Sequence, residues 1–134
     1  MNVDQAKNSS KSFHKAFHRA MEPRPTGPNQ FEMLAVPGVV CAAFAIELGL
    51  KALVLQKGVQ AKGHDLEKLF SKLEPAQQTA LIKAVGIAES DFNKELKATA
   101  NAFIDWRYIY EAPGSVSANL DFLRRLSEAI QNHL

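Results

Sequence analysis

Residues 34–55, LAVPGVVCAAFAIELGLKALVL, form an apolar run broken by only two charges, Glu47 and Lys51. The two are four apart, so on a helix they stand one turn from each other on the same face, with the glutamate first, the order that favours pairing. A helix this apolar is expected to be buried on all sides. Two ions placed inside it carry a desolvation cost that only good geometry and further hydrogen bonds offset. Folding alone gives little reason to keep them, so they mark either a site or a specific polar core.

The run is long enough to span a bilayer. Against that reading, Glu47 and Lys51 would lie towards the inner half of the span, and Pro37-Gly38 falls near its start. A buried core helix without membrane association is therefore expected. The opening residues, MNVDQAKNSSKSF, lack the apolar segment of a signal peptide, which makes the cytoplasm the expected compartment.

With 134 residues the chain reads as one domain, 1–134, large enough for a core without staples. Its first 33 residues hold a helix and a proline-rich loop, and 34–134 hold the main body. A net charge of +2 and a pI near 8.7 stop short of the strongly basic balance of a dedicated nucleic-acid binder. A phosphate-bearing partner is neither required nor excluded. The one cysteine, Cys41, lies in the apolar run and reads as a small buried hydrophobe, with no disulfide possible within the chain.

Helical periodicity recurs along the chain and strand patterns do not. Residues 4–21 carry an apolar stripe at Ala6, Phe13, Ala16, Phe17, Ala20 and Met21. EPRPTGPN, 22–29, reads as a loop. A second helix is expected from about Pro37 to Lys57, stopped by Gly58. Asp65 should cap a short helix, Pro75 should open another that ends at Gly86, and Ser90 should cap a long helix over 91–111. That long helix should pack antiparallel to the second one and stop at Pro113-Gly114. A final helix should begin near Ser117. About six helices in an all-α up-and-down bundle result.

Candidate chemistry gathers in a few places. Arg107, Tyr110 and Glu111 would share one face of the long helix. With Glu47 and Lys51 they make either a charge-balanced network that registers two helices, or a pocket in which Lys51 and Arg107 face a phosphate or a base. His64 follows a glycine and precedes the capping Asp65. Hydrogen bonding near the helix start is its plainer role, and acid–base work beside the polar cluster the sharper one. His14 and His18 have the i, i+4 spacing of two metal ligands, but the sequence offers no third, so an exposed pair without metal is expected. Lys7, Lys11, Lys15, Arg19 and Arg24 form a basic stripe, which is a solvated face or a set of weak phosphate contacts. Glycine-rich phosphate loops, nucleophile elbows and dinucleotide fingerprints are missing, so neither a cofactor nor a metal is expected.

The ordered set AFAIELGLKAL (43–53), GHDLEKLF (63–70) and FIDWRYIYE (103–111) resembles the HEPN superfamily of small helical nucleotide-binding domains, over roughly 34–134. The resemblance implies a helical bundle and a homodimer formed across the helices that carry the polar motifs. Many members are metal-independent ribonucleases of toxin–antitoxin or defence systems, using an arginine followed four to six residues later by a histidine. Here Arg107 stands in the expected region, but 112–114 are Ala, Pro and Gly, and Tyr110-Glu111 ends the motif. The catalytic role therefore does not transfer. Glu47, Lys51, His64, Asp65, Arg107, Tyr110 and Glu111 transfer as a polar set suited to binding nucleotide, RNA or a partner protein, without robust nuclease activity. A divergent ribonuclease and a regulatory partner of a nucleotidyltransferase are the alternatives.

Overall fold

The apolar run becomes the central helix, α2 (Ala35–Gln56), and the rest of the chain is arranged to cover it. In the computed structural model, residues 1–111 and 117–134 are described, the side chain of Glu111 excepted. α1 (Val3–Ala20) lies along α2 and presents Ala6, Ser10 and Phe17 to it. α6 (Ala102–Arg107), α7 (Leu120–Gln131) and the short α3 (Leu66–Ser71) pack on other sides of α2. α4 (Pro75–Val85) rests on α7, and α5 (Glu89–Ala98) on α3. Thirteen residues of α2 are buried, among them Ile46, Leu50, Leu53 and Val54. Burial of each large side chain contributes about 1.5–3 kcal/mol. By length and composition α2 could also cross a membrane, but 72% of its most apolar window is buried inside this fold.

Local signals set most of the boundaries. Asn2 and Gln5 form a capping box at the start of α1, and the Asp65 carboxylate accepts the Lys68 N–H at 3.0 Å to open α3. Pro75 begins α4, and Gly86, at φ 80°, ends it in the left-handed conformation that glycine adopts without strain.

Four expectations change. Residues 22–29 are not a plain loop: β1 (Arg24–Gly27) and β2 (Gln30–Glu32) make a small antiparallel hairpin. Pro28 and Asn29 occupy its tip, with Asn29 at φ 57°, the residue pairing a tight type II turn favours. The long helix expected over 91–111 is two helices, α5 and α6, followed by a single 3-10 turn, Ile109–Glu111. The break falls at Thr99-Ala100-Asn101, where the Thr99 hydroxyl donates to the Glu95 carbonyl at 2.8 Å. The Ala100 carbonyl leaves the helical ladder and accepts the Leu66 N–H at 2.8 Å, satisfying a donor that α3 cannot pair internally. Caps differ as well. Ala88, not Ser90, precedes α5, and α7 begins at Leu120 rather than near Ser117, with Asn119 capping it by accepting the Phe122 N–H at 3.0 Å. The expected stop at Pro113-Gly114 lies outside the described residues.

A buried polar pin fixes α1, α2 and α7 together. Ser10 donates to the Ala45 carbonyl at 2.6 Å and accepts from Gln131 Nε2 at 2.8 Å. Beside it Gly49 lets α7 approach closely, since a Cβ there would run into Ile130 Cγ2 and the Ser10 hydroxyl. Gly49→Ala gains up to about 1 kcal/mol of helix propensity but overpacks a site walled by the fully buried Ile130 and Ser10, at a cost of about 1–3 kcal/mol. Thermal or urea unfolding should therefore show a net destabilisation. A variant as stable as the parent would contradict this packing.

Candidate functional site

Glu47 and Lys51 meet one turn apart on α2, as their spacing requires. The Lys51 ammonium donates to Glu47 Oε2 at 3.1 Å, with the lysine side chain 12% exposed and the glutamate 1%. A lone buried pair of this kind is a poor bargain, because desolvation rivals the Coulombic gain. Here the other carboxylate oxygen is also used. His64 Nδ1 lies 2.9 Å from Glu47 Oε1. A carboxylate only accepts, so His64 must carry hydrogen on Nδ1 and donate it. The turn that delivers His64 is fixed on both sides, by Gly63 at φ 85° and by Asp65 capping α3. Asp65 thus serves the helix start and leaves the carboxylate node to its neighbours.

An aromatic ladder covers the node. Phe103, on α6, lies 5.6 Å from the His64 ring and stacks on Phe44 of α2 at 4.4 Å and 14°. Phe44 in turn meets Phe13 of α1 edge-on at 4.6 Å. The Arg107 guanidinium sits 4.8 Å from the centre of the Phe103 ring and 4.6 Å from that of Tyr108. Such cation–π contacts contribute about 0.5–1 kcal/mol at an exposed position. Sequence reasoning missed Phe44 and Phe103, although Phe44 stands three residues before Glu47 and Phe103 four before Arg107.

Arg107 does not join the buried Glu47–Lys51 pair. Arg107 is exposed, and among the described residues no ion pair joins it to Glu47. The break in the long helix explains this, because α6 ends at Arg107 and the following 3-10 turn swings Tyr110 out to 77% exposure. Arg107 and Tyr110 therefore do not share a helical face, and the Glu111 side chain lies outside the described residues. Trp106 packs partly buried against the core, leaving Tyr108 and Tyr110 as the exposed pair.

Lys51 borders an open hollow of about 280 Å³ shared with Leu55, Gln60 and Lys62. A larger groove of about 570 Å³ lies elsewhere, between α1, the hairpin and the start of α2, where Lys15, Arg19 and Arg24 of the basic stripe face Leu34, Pro37 and Cys41. Cys41 is half-buried, and burial raises its thiol pKa, which disfavours a reactive thiolate. His14 departs from the expected exposed pair. It is partly buried, its Nδ1 is 2.6 Å from Ser127 Oγ, and burial, with His18 as a second cause, holds its pKa below the ordinary histidine value.

The model of the HEPN domain family matches residues 39–131, which takes in the Glu47–Lys51 pair, the His64 turn and Arg107. The chain belongs to the HEPN family. No curated protein and no solved structure matched it. The match begins after α1 and the hairpin, so the HEPN part is the α2–α7 body, with α1 packed along its central helix.

The carboxylate node makes a specific energetic demand. Glu47→Leu leaves the buried Lys51 ammonium and the His64 N–H without their acceptor, and should cost about 3–5 kcal/mol. Glu47→Leu combined with Lys51→Met should recover a large part of that loss, read as a non-additive double-mutant cycle in urea unfolding. Simple additivity of the two substitutions would contradict the pairing.

Proposed function

We propose that this HEPN domain is a homodimeric binding module for a phosphate-bearing ligand, a nucleotide or RNA, without robust nuclease activity. The observation that carries this reading is Lys51. Glu47 fixes its ammonium on one side, and on the other it borders an open hollow that also holds Lys62. A lysine oriented in this way is a pre-set point charge for a phosphate, and little side-chain freedom remains to be lost on binding. Arg107 and Tyr108, stacked and partly exposed, add a flat cationic and aromatic surface on which a base can lie. Tyr108 and Tyr110, 42% and 77% exposed, are the large aromatics best placed to be covered by a second copy.

A divergent ribonuclease is the second reading, and one feature favours it. A buried carboxylate orients His64, the arrangement that prepares an imidazole for acid–base work, while Arg107 stacks on the same Phe103 ring that His64 approaches. Arginine there would stabilise charge building on phosphorus.

Titration of the folded chain with nucleotides and with single-stranded RNA separates the readings. Lys51→Ala and Arg107→Ala should each weaken binding by about tenfold, the loss of one charge-assisted contact of about 1.4 kcal/mol. Equal binding by folded variants removes the pocket. RNA cleavage that survives EDTA and disappears in His64→Ala would establish the ribonuclease instead. Light scattering should give a dimer, and a monomer at micromolar concentration would contradict that part.

A further inference from the structure

Two imidazoles and a carboxylate converge where α1 packs against α7, away from the Glu47 node. His14 and His18 are one turn apart on α1, and their Nε2 atoms are 3.2 Å from each other. Glu128 of α7 brings Oε1 to 3.6 Å from His18 Nε2. Neither the family match, which begins at residue 39, nor the proposed phosphate site accounts for this grouping.

The separations are those of a chelate. Two nitrogens each about 2.0–2.1 Å from a tetrahedral zinc ion stand roughly 3.3 Å apart, and a nitrogen–carboxylate edge is of similar length. The histidine pair already has that bite. Its supports are also present. His14 Nδ1 is 2.6 Å from the hydroxyl of Ser127, a residue with no exposed surface. Metal-bound histidines almost always give their second ring N–H to an acceptor, which fixes the tautomer and aims the other nitrogen at the ion, and the Ser127 hydroxyl is placed to accept it. The second oxygen of Glu128 is steadied by Arg124, 3.8 Å away, leaving Oε1 for the histidines. Among the described residues no three His, Cys, Asp or Glu side chains already close around one point. Closing the set requires Glu128 to turn towards His14, and its side chain, 44% exposed, has room to do so.

We propose that His14, His18 and Glu128 bind a divalent transition ion of the zinc type, clamping α1 onto α7 with a fourth position open to water or an external ligand. Two imidazoles and one carboxylate suit zinc, and also nickel and copper. Magnesium and calcium, which call for all-oxygen shells, are disfavoured.

The test uses the full chain without an affinity tag, stripped with EDTA and dialysed. Calorimetric titration with zinc chloride should show saturable binding of one ion per chain, and magnesium chloride should show none. His18→Ala should lower zinc affinity by more than about tenfold, and Ser127→Ala, which acts only through His14, by about tenfold. Zinc should raise the melting temperature of the parent chain and leave that of His18→Ala unchanged. His133→Ala should bind zinc as the parent does, and because the readout is zinc binding alone the result stands whether or not the phosphate pocket exists. Circular dichroism should show that the His18→Ala variant, changed at an exposed residue, is folded. Absence of saturable zinc binding, or an affinity unaltered in both His18→Ala and Glu128→Gln, would overturn the proposal.

Discussion

One carboxylate in the middle of the most apolar helix governs much of this fold. Glu47 cannot be left with an idle oxygen where its surroundings are aliphatic, so Lys51 takes one and His64 the other. Reaching it with His64 fixes the course of the chain after α2. The turn at Gly63 brings the imidazole back to α2, Asp65 starts α3 at once, and the first N–H of α3 draws on the Ala100 carbonyl. That last bond ends α5 and lets α6 begin in a new direction against α2. A local electrostatic demand on α2 thereby connects, contact by contact, to the placement of Phe103 and Arg107 some sixty residues away in sequence.

This chain of dependence also explains what the sequence discloses. Gly58, Asp65, Pro75 and Gly86 punctuate the helices because caps and stops act within a few residues, and the Glu47–Lys51 pair is legible because i, i+4 geometry is fixed by the helix itself. The division of 91–111 into α5 and α6 is not legible, because what ends α5 is a bond to Leu66, remote in sequence. The hairpin at 24–32 escapes notice because its strands are short and almost wholly exposed, so no alternation of apolar and polar residues marks them. Within the site, the approach of His64 to Glu47 depends on a turn, and the exposure of Arg107 depends on where α6 stops. The third side chain beside His14 and His18 sits on α7, more than a hundred residues away, which is why spacing along α1 offers only two.

The HEPN body and α1 carry different kinds of polar chemistry. In the α2–α7 body a carboxylate, a lysine and a histidine are drawn into the core and capped by the Phe44–Phe103 stack, with Arg107 on its outer rim. Such a node resists rearrangement, because each partner is required by another, and rigidity of this kind suits recognition. Along α1 the charges are solvated and the grooves are open, and two polar clusters, the Ser10–Gln131 pin and His14 with Ser127, His18 and Glu128, join α1 to the end of the body. The proposed ligand site of the body and the attachment of α1 therefore rest on different residues.

Glu47 holds His64 in one orientation and one hydrogen-bonding state. Nitrogen-15 NMR of the His64 ring reads this directly. In the parent chain the spectrum should show Nδ1 carrying its hydrogen in a strong hydrogen bond, and Glu47→Gln should change that signature while the other histidines stay as they were. A His64 ring with the Nε2–H form dominant, or one indifferent to Glu47→Gln, would contradict the account.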